Sequence, residues 1–240
     1  MKRIALVAED NGHVRVVTKL IDDTLIASID WLDGVLDSSR SWCGLQNELW
    51  YKYSPDDTYD LRPIMIDGVT IKPQGRINGE PLKPEAGMWR RVLLLLSHTA
   101  PRPDVVVLVR DLDGYPERRQ GMEQVRQGLP WPFHVVLATP EPEVEAWLVA
   151  GFVAANGHER ARIQALVADL SFDPTVHSHR LTSHPNDAPR DAKRVLKHLS
   201  EGDEDRQAAC LTDRDVLRRR CAEARAFLDE VDERLVPLFR

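Results

Sequence analysis

The chain has 240 residues, of which 42% are hydrophobic and 29% charged, with a formal net charge of −6. That balance excludes a disordered chain and a wholly basic nucleic-acid coat, although a local basic groove stays open. The length suits one large domain, or one domain with a helical appendage.

Residues 4–8 form a short apolar run bounded by charge, which reads as a buried first strand. The polar turn Glu9-Asp10-Asn11-Gly12-His13 follows, then a helix over 14–25 with Val17, Leu20, Ile21 and Leu25 at helical spacing. Residues 31–84 are rich in Asp, Gly and Pro and read as an irregular insertion, with a hairpin signal at 64–71 around Asp67-Gly68. Trp42, Trp50, Tyr51 and Tyr53 would form a small core private to this insertion, or would stack on bases. Helices are expected over 84–97 and 116–127, flanking a strongly β-branched strand at 104–110, with a further strand at 133–138 and a helix over 143–155. The remaining chain reads as helices over 159–170, 188–199 and 213–235. The expected architecture is therefore α/β, a mostly parallel sheet flanked by helices. It would comprise an α/β unit at 1–155 with the insertion, and a helical C-terminal region at 156–240 packed on it.

Three cysteines, Cys43, Cys210 and Cys221, contain no CxxC pair, which argues against a thiolate zinc site and for a reduced compartment. The N-terminal apolar run is too short for a secretory signal, and the longest later run, 92–96, is far short of a membrane span. A cytoplasmic protein is expected.

Asp111 and Asp113 are two residues apart at the end of the strongest strand, where extended backbone would turn both carboxylates to one side. Glu9 ends the first strand. In an open parallel sheet, ligands bind beyond the carboxyl ends of strands near a switch in strand order. If the two strands are neighbours, three carboxylates share one crevice. Like charges that close call for a cation, and oxygen ligands suit Mg²⁺ or Mn²⁺. The alternative is a turn in which the aspartates pair with Arg110, Arg118 or Arg119. Glu143 and Glu145 open the last α/β helix and would either extend the acidic site or simply favour the helix dipole.

Arg190, Lys193, Arg194 and Lys197 form a basic run in which Lys193 and Lys197 share a helix face, either gripping a phosphate backbone or facing solvent. Arg218-Arg219-Arg220 carries the same ambiguity, with Asp229 and Glu230 as local salt-bridge partners. His177, His179 and His184 lie in a polar segment that reads as a solvated loop. No P-loop is present, so any ATP use would come from a partner. Asp111-Leu112-Asp113-Gly114 has the letters of a haloacid-dehalogenase motif, but it lies far from the first strand and no Ser or Thr follows Gly114.

Glu9 after strand one, Val-Leu-Val-Arg-Asp111-Leu-Asp113, and the stretch 139–150 (Thr-Pro-Glu-Pro-Glu-Val-Glu-Ala-Trp-Leu-Val-Ala) resemble Toprim-like proteins. The nearest resemblance is to small bacterial Toprim-like families associated with phage defence, related to the Toprim domains of OLD-type nucleases. The resemblance spans most of 1–200. The usual Gly after the first Glu is Asp10 here, with Gly12 two further on. The resemblance implies metal-dependent cleavage of nucleic-acid phosphodiesters, DNA more than RNA. Asp111 and Asp113 would hold Mg²⁺ or Mn²⁺, Glu9 would be a further ligand or general acid/base, and Glu143 and Glu145 further ligands. Lys193, Arg194 and Lys197 would contact nucleic acid. An ABC-type ATPase is the implied partner. The alternative is a non-catalytic binding or regulatory subunit of an ATPase-containing defence complex.

Overall fold

The computed structural model describes residues 1–45, 48–53, 64–66, 69–71 and 75–240. The chain opens with β1 (Lys2–Ala8) and α1 (Asn11–Ser28), followed by the short α2 (Leu36–Ser39), β2 (Arg40–Cys43) and β3 (Tyr51–Lys52). Two small antiparallel ribbons come next, β4 (Ile64–Ile66) with β5 (Val69–Ile71), and β6 (Arg76–Ile77) with β7 (Glu80–Pro81). Then follow α3 (Ala86–Ser97), β8 (Val105–Val109), α4 (Glu117–Gly128), β9 (His134–Ala138) and α5 (Val144–Ala150). The C-terminal region is helical: α6 (Gly157–Leu170), α7 (Ala192–Ser200), α8 (Glu204–Ala209), α9 (Arg214–Arg220) and α10 (Ala222–Arg234).

The main sheet runs β2-β1-β8-β9, all parallel, and β3 pairs in parallel with the last residues of β1. All five residues of β8 are buried, as expected of an inner parallel strand covered on both faces. The period-2 alternation sorts the sheet into two cores. Ile4, Leu6, Ala8, Val105, Val107, Val109, Val136 and Ala138 face one layer with α1, α5 and α10. Ala5, Val7, Val106, Leu108, Val135 and Leu137 face the other with α3 and α4. Each Val, Leu or Ile among them contributes about 1.5–3 kcal/mol when fully buried.

Part of the expected insertion belongs to this sheet. β2 is its edge strand, and β3 extends it beside the carboxyl end of β1. Among the described residues, the aromatics of that region pack into the two layers of the sheet. Trp42 and Trp50 pack against the first layer, while Tyr53 is buried in the second with Tyr51 against it. β4 and β5 pair antiparallel as the hairpin signal requires, and its Asp67-Gly68 turn lies outside the described residues.

The C-terminal helices share the first core with the α/β part. A Cβ at Gly151 would lie 1.9 Å from the Cys210 carbonyl oxygen, so only glycine lets the end of α5 approach that segment. Glu230 on α10 accepts from Leu137 N on the open edge of β9 (3.0 Å) and from Arg126 (2.7 Å), satisfying an edge N–H that would otherwise lack a partner. The expected single helix at 213–235 is two, broken at Cys221, whose backbone is extended. The helix α8 went unrecognised in the sequence because its Glu-Asp-Arg-Gln-Ala-Ala stretch has no apolar face. No helix among the described residues is long and apolar enough to cross a membrane.

Candidate metal centre

The strands that carry Glu9 and Asp111 are neighbours, β1 and β8. The strand order reverses between them, so their carboxyl ends flank the crevice where parallel sheets bind ligands. Two steps beyond the last register pair, Val7 with Leu108, come Glu9 and Arg110, and these two side chains are in contact.

α1 begins at the same edge. Asp10 caps it, accepting from His13 N at 3.1 Å, and the same oxygen lies 2.9 Å from His13 Nδ1. Gly12 leaves room for this, since a Cβ there would sit 3.1 Å from Asp10 Oδ1. One helical turn after Glu9, His13 is carried into the crevice, where it is 2% exposed. Its Nε2 lies 3.0 Å from Asp111 Oδ1, and Asp111 is itself only 7% exposed. One donor atom from each of Glu9, His13 and Asp111 lies within 4.8 Å of the others. Glu9 Oε1, His13 Nε2 and Asp111 Oδ1 are all buried without a hydrogen bond, although Glu9 Oε1 is in ion-pair contact with Arg110 and His13 Nε2 lies against Asp111. Such a trio of converging ligand atoms fits a divalent cation.

Burial opposes a charge on His13, yet the adjoining carboxylates of Asp10 and Asp111 overcome this and hold its pKa up at about 10. The bond to His13 keeps the Asp10 carboxyl below the usual carboxylate range. Without a cation, an imidazolium is therefore the positive charge beside Asp111.

Asp113 does not join this group. The chain has left the strand by then, and Asp113 adopts a left-handed φ of 52°, so the same-side rule for extended backbone no longer applies. Its carboxylate pairs with Arg118, which also donates to the Asp111 carbonyl at 3.0 Å. The pairing alternative thus holds for Asp113. Arg110, 4% exposed, is bound by Glu85 at 2.8 Å as well as by Glu9. Burial, together with the charge of Arg118, lowers its pKa to about 10, so it stays charged at neutral pH.

The loops after β8 and β9 are joined by backbone bonds, Leu112 N to Pro140 O (2.8 Å) and Asp113 N to Pro142 O (2.9 Å). This brings the opening of α5 towards Asp111. Glu143 is 2% exposed and makes no helix-cap bond. One of its oxygens accepts from Lys193 Nζ at 2.7 Å, and the other is buried without a partner. Burial, then the charge of Glu145, raises the Glu143 pKa to about 7 against the pull of Lys193. Burial also raises Glu145, and Asp111 adds to the rise in both. These glutamates are therefore electrostatic neighbours of Asp111, beyond any service to the helix dipole.

Of the basic run, Lys193 alone makes a side-chain contact to the acidic cluster. Arg194 donates to the Pro189 carbonyl and faces Asp169, and Lys197 is exposed on the surface of α7. Lys52, in register with Ala8, is exposed beside the end of β1. Tyr115 is 53% exposed beyond the Asp113 turn, with the Arg118 guanidinium 4.8 Å from its ring centre. Arg218 is bound by Asp229 and Asp232, which fits the salt-bridge alternative. His177, His179 and His184 are exposed, and among the described residues no metal-binding grouping includes them.

Sequence reasoning passed over His13, Glu85 and Lys52. The signal for His13 was available: Glu9 and His13 are four apart across a capped helix start. Comparison of the chain with protein-family models, curated proteins and solved structures returns no match.

Proposed function

We propose that this chain cleaves nucleic-acid phosphodiesters with a divalent metal ion, as the Toprim-like resemblance implies. DNA is the expected substrate. The setting would be the cytoplasm, in phage defence, with an ABC-type ATPase as partner. The observation that carries the reading is the convergence of ligand atoms from Glu9, His13 and Asp111 at the switch point of a parallel sheet, where His13 Nε2 and Asp111 Oδ1 are buried without a hydrogen bond.

Glu9, His13 and Asp111 would hold the ion, with Glu143 and Glu145 adding negative charge beside it. A bound divalent ion supplies charge stabilisation at the phosphate and lowers the pKa of water. Lys193 reaches the cluster on a stem whose side chain is 62% exposed, so its ammonium can meet a phosphate oxygen without leaving Glu143 far behind. Glu143, with one free oxygen and a pKa near neutrality, can take up and return a proton at that oxygen. Lys52 flanks the crevice with positive charge, and the open face of Tyr115 offers a base a stacking surface. Arg110, buried between Glu9 and Glu85, fixes the direction of Glu9.

One observation favours the second reading, a non-catalytic binding or regulatory subunit. Arg110 and Arg118 already neutralise Glu9 and Asp113. The test is cleavage of single- and double-stranded DNA and RNA with Mg²⁺ or Mn²⁺, wild type against Asp111→Asn. Metal-dependent cleavage that disappears in a folded Asp111→Asn protein is expected. Absence of cleavage with either metal, with and without the partner ATPase, would favour the subunit reading.

A further inference from the structure

We infer that His13 is itself a metal ligand through Nε2, that Asp10 positions it, and that the centre therefore takes a first-row transition ion of the Mn²⁺ class in preference to Mg²⁺. The inference rests on the metal-dependent reading above, and its test is independent of cleavage.

Asp10 is a carboxylate at neutral pH and can only accept a hydrogen bond. Its oxygen lies 2.9 Å from His13 Nδ1, so Nδ1 carries the proton of that contact. In a neutral imidazole this leaves Nε2 with its lone pair, facing the group. A lone pair of Nε2 and one of Asp111 Oδ1 then stand 3.0 Å apart in a buried crevice. Two such donors repel unless a positive charge lies between them. In the metal-free chain the imidazolium proton on Nε2 supplies that charge, but as a poor bridge, because the contact does not meet hydrogen-bond geometry and both atoms are left without a hydrogen-bond partner. A metal ion does not need the donors to point at each other; both must point at the ion. Adjacent ligands of an octahedral ion at ~2.1 Å lie about 3.0 Å from one another, which matches the separation seen.

The donor chemistry then selects the ion. Mg²⁺ prefers oxygen and water, whereas imidazole nitrogen favours first-row transition ions, and Mn²⁺ accepts both carboxylate and imidazole. The carboxylate that binds the far nitrogen of a ligating histidine fixes its tautomer and ring orientation, and loss of such a partner weakens metal binding about 10–100-fold. Asp10 has that relation to His13.

The test uses the full chain stripped of metal. Mn²⁺ binding is followed by electron paramagnetic resonance, with Mg²⁺ as competitor, and pulsed spectra are searched for a nitrogen coupled directly to Mn²⁺. Wild type should bind Mn²⁺ at least about 10-fold more tightly than Mg²⁺. It should show a nitrogen coupling that changes when histidine is labelled with ¹⁵N. His13→Gln should abolish the coupling, weaken Mn²⁺ about 10–100-fold and leave Mg²⁺ nearly unchanged. Asp10→Ser keeps a helix-capping hydroxyl but removes the carboxylate from Nδ1, and should weaken Mn²⁺ about 10-fold. The isotope experiment needs no variant, so a misfolded His13→Gln protein does not blunt it. Mn²⁺ bound by wild type without histidine nitrogen coupling overturns the inference, while cleavage in Mg²⁺ would leave the nuclease reading standing. A chain that binds neither ion overturns both.

Discussion

The two sides of the crevice hold similar numbers of carboxylates and differ in what neutralises them. On one side Glu9, Glu85 and Asp113 surround Arg110 and Arg118, and guanidinium forks meet carboxylate oxygens. On the other, Asp111, Glu143 and Glu145 face His13 and a single half-exposed lysine, and oxygens of Asp111 and Glu143 are buried without a hydrogen bond. The first side is an ion-pair network in which each acid already has a cation, and of its acids Glu9 alone also reaches the metal group. The second is short of positive charge in a setting where charge is costly to bury. The difference teaches that acidic residues near a strand end do not define a metal centre. The acids that lack a partner do.

If this division is right, Asp111 and Asp113 should behave unlike each other despite sharing one motif. Asp111→Asn should lower cleavage by at least about 10²-fold, the scale of losing one group that stabilises charge in the transition state. Asp113→Asn, which alters only an arginine pair, should cost about 10-fold or less. Equal losses would mean that Asp113 turns inward when substrate binds. The next largest effect is on stability. Arg110→Ala removes the shared cation of Glu9 and Glu85, two part-buried carboxylates of which Glu85 keeps Arg118, so urea unfolding should show a loss of about 1.5–3 kcal/mol. An Arg110→Ala protein of near-normal stability would show that the paired side carries spare negative charge and belongs to the ion site after all.

The parallel sheet was legible because the Val-Val-Val-Leu-Val run of β8 and the bounded apolar run of β1 leave few alternatives once helices separate them. Their adjacency, on which the site depends, was a condition that no pattern in the sequence fixes, and the structure meets it. Asp113 misled because the alternation rule was extended past the last residue to which it applies; the strand ends at Val109. Arg40–Cys43 was hidden inside a Pro- and Gly-rich context that reads as loop, since an edge strand of four residues has too few positions to show a period. The role of Glu85 depends on Arg110 reaching across 25 positions of sequence, and no local pattern announces such a pair. His13 was visible in spacing but masked by its setting among turn residues.

A smaller effect sharpens the open side. Lys193→Met removes the cation bound to the buried Glu143 carboxylate, so stability at neutral pH should fall by about 1–3 kcal/mol, the cost of leaving a buried acceptor unsatisfied. Binding of a DNA oligonucleotide by the Asp111→Asn protein should weaken about 10-fold, with the slope of log affinity against log salt reduced by about 1, the signature of one lost phosphate contact. An unchanged slope would confine Lys193 to neutralising Glu143.

A further test uses a fully paired carboxylate as a reference. Glu159 accepts from Arg206 at 2.7 and 2.9 Å and from Ala155 N at 2.6 Å, with Arg206 lying over the Phe152 ring. The bonds from Arg206 lower its pKa in the folded chain below the usual 4.5. The folded state therefore holds the proton less firmly than the unfolded state does. The stability this provides is complete above the unfolded-state value and is lost as pH falls through the depressed one. Glu159→Gln should cost about 1.5–3 kcal/mol at pH 7 by urea unfolding, the range for a hydrogen bond to a charged group. The gap between variant and wild type should narrow below about pH 4, where the wild-type carboxylate also becomes neutral. Glu143 should show the opposite sign, since its pKa is raised to about 7: the proton is held more firmly in the folded chain, and folding gains as pH falls through that value. A Glu143→Gln protein that matches wild type at pH 5 and exceeds it at pH 8 would separate the unpartnered side of the crevice from the paired carboxylates by sign alone.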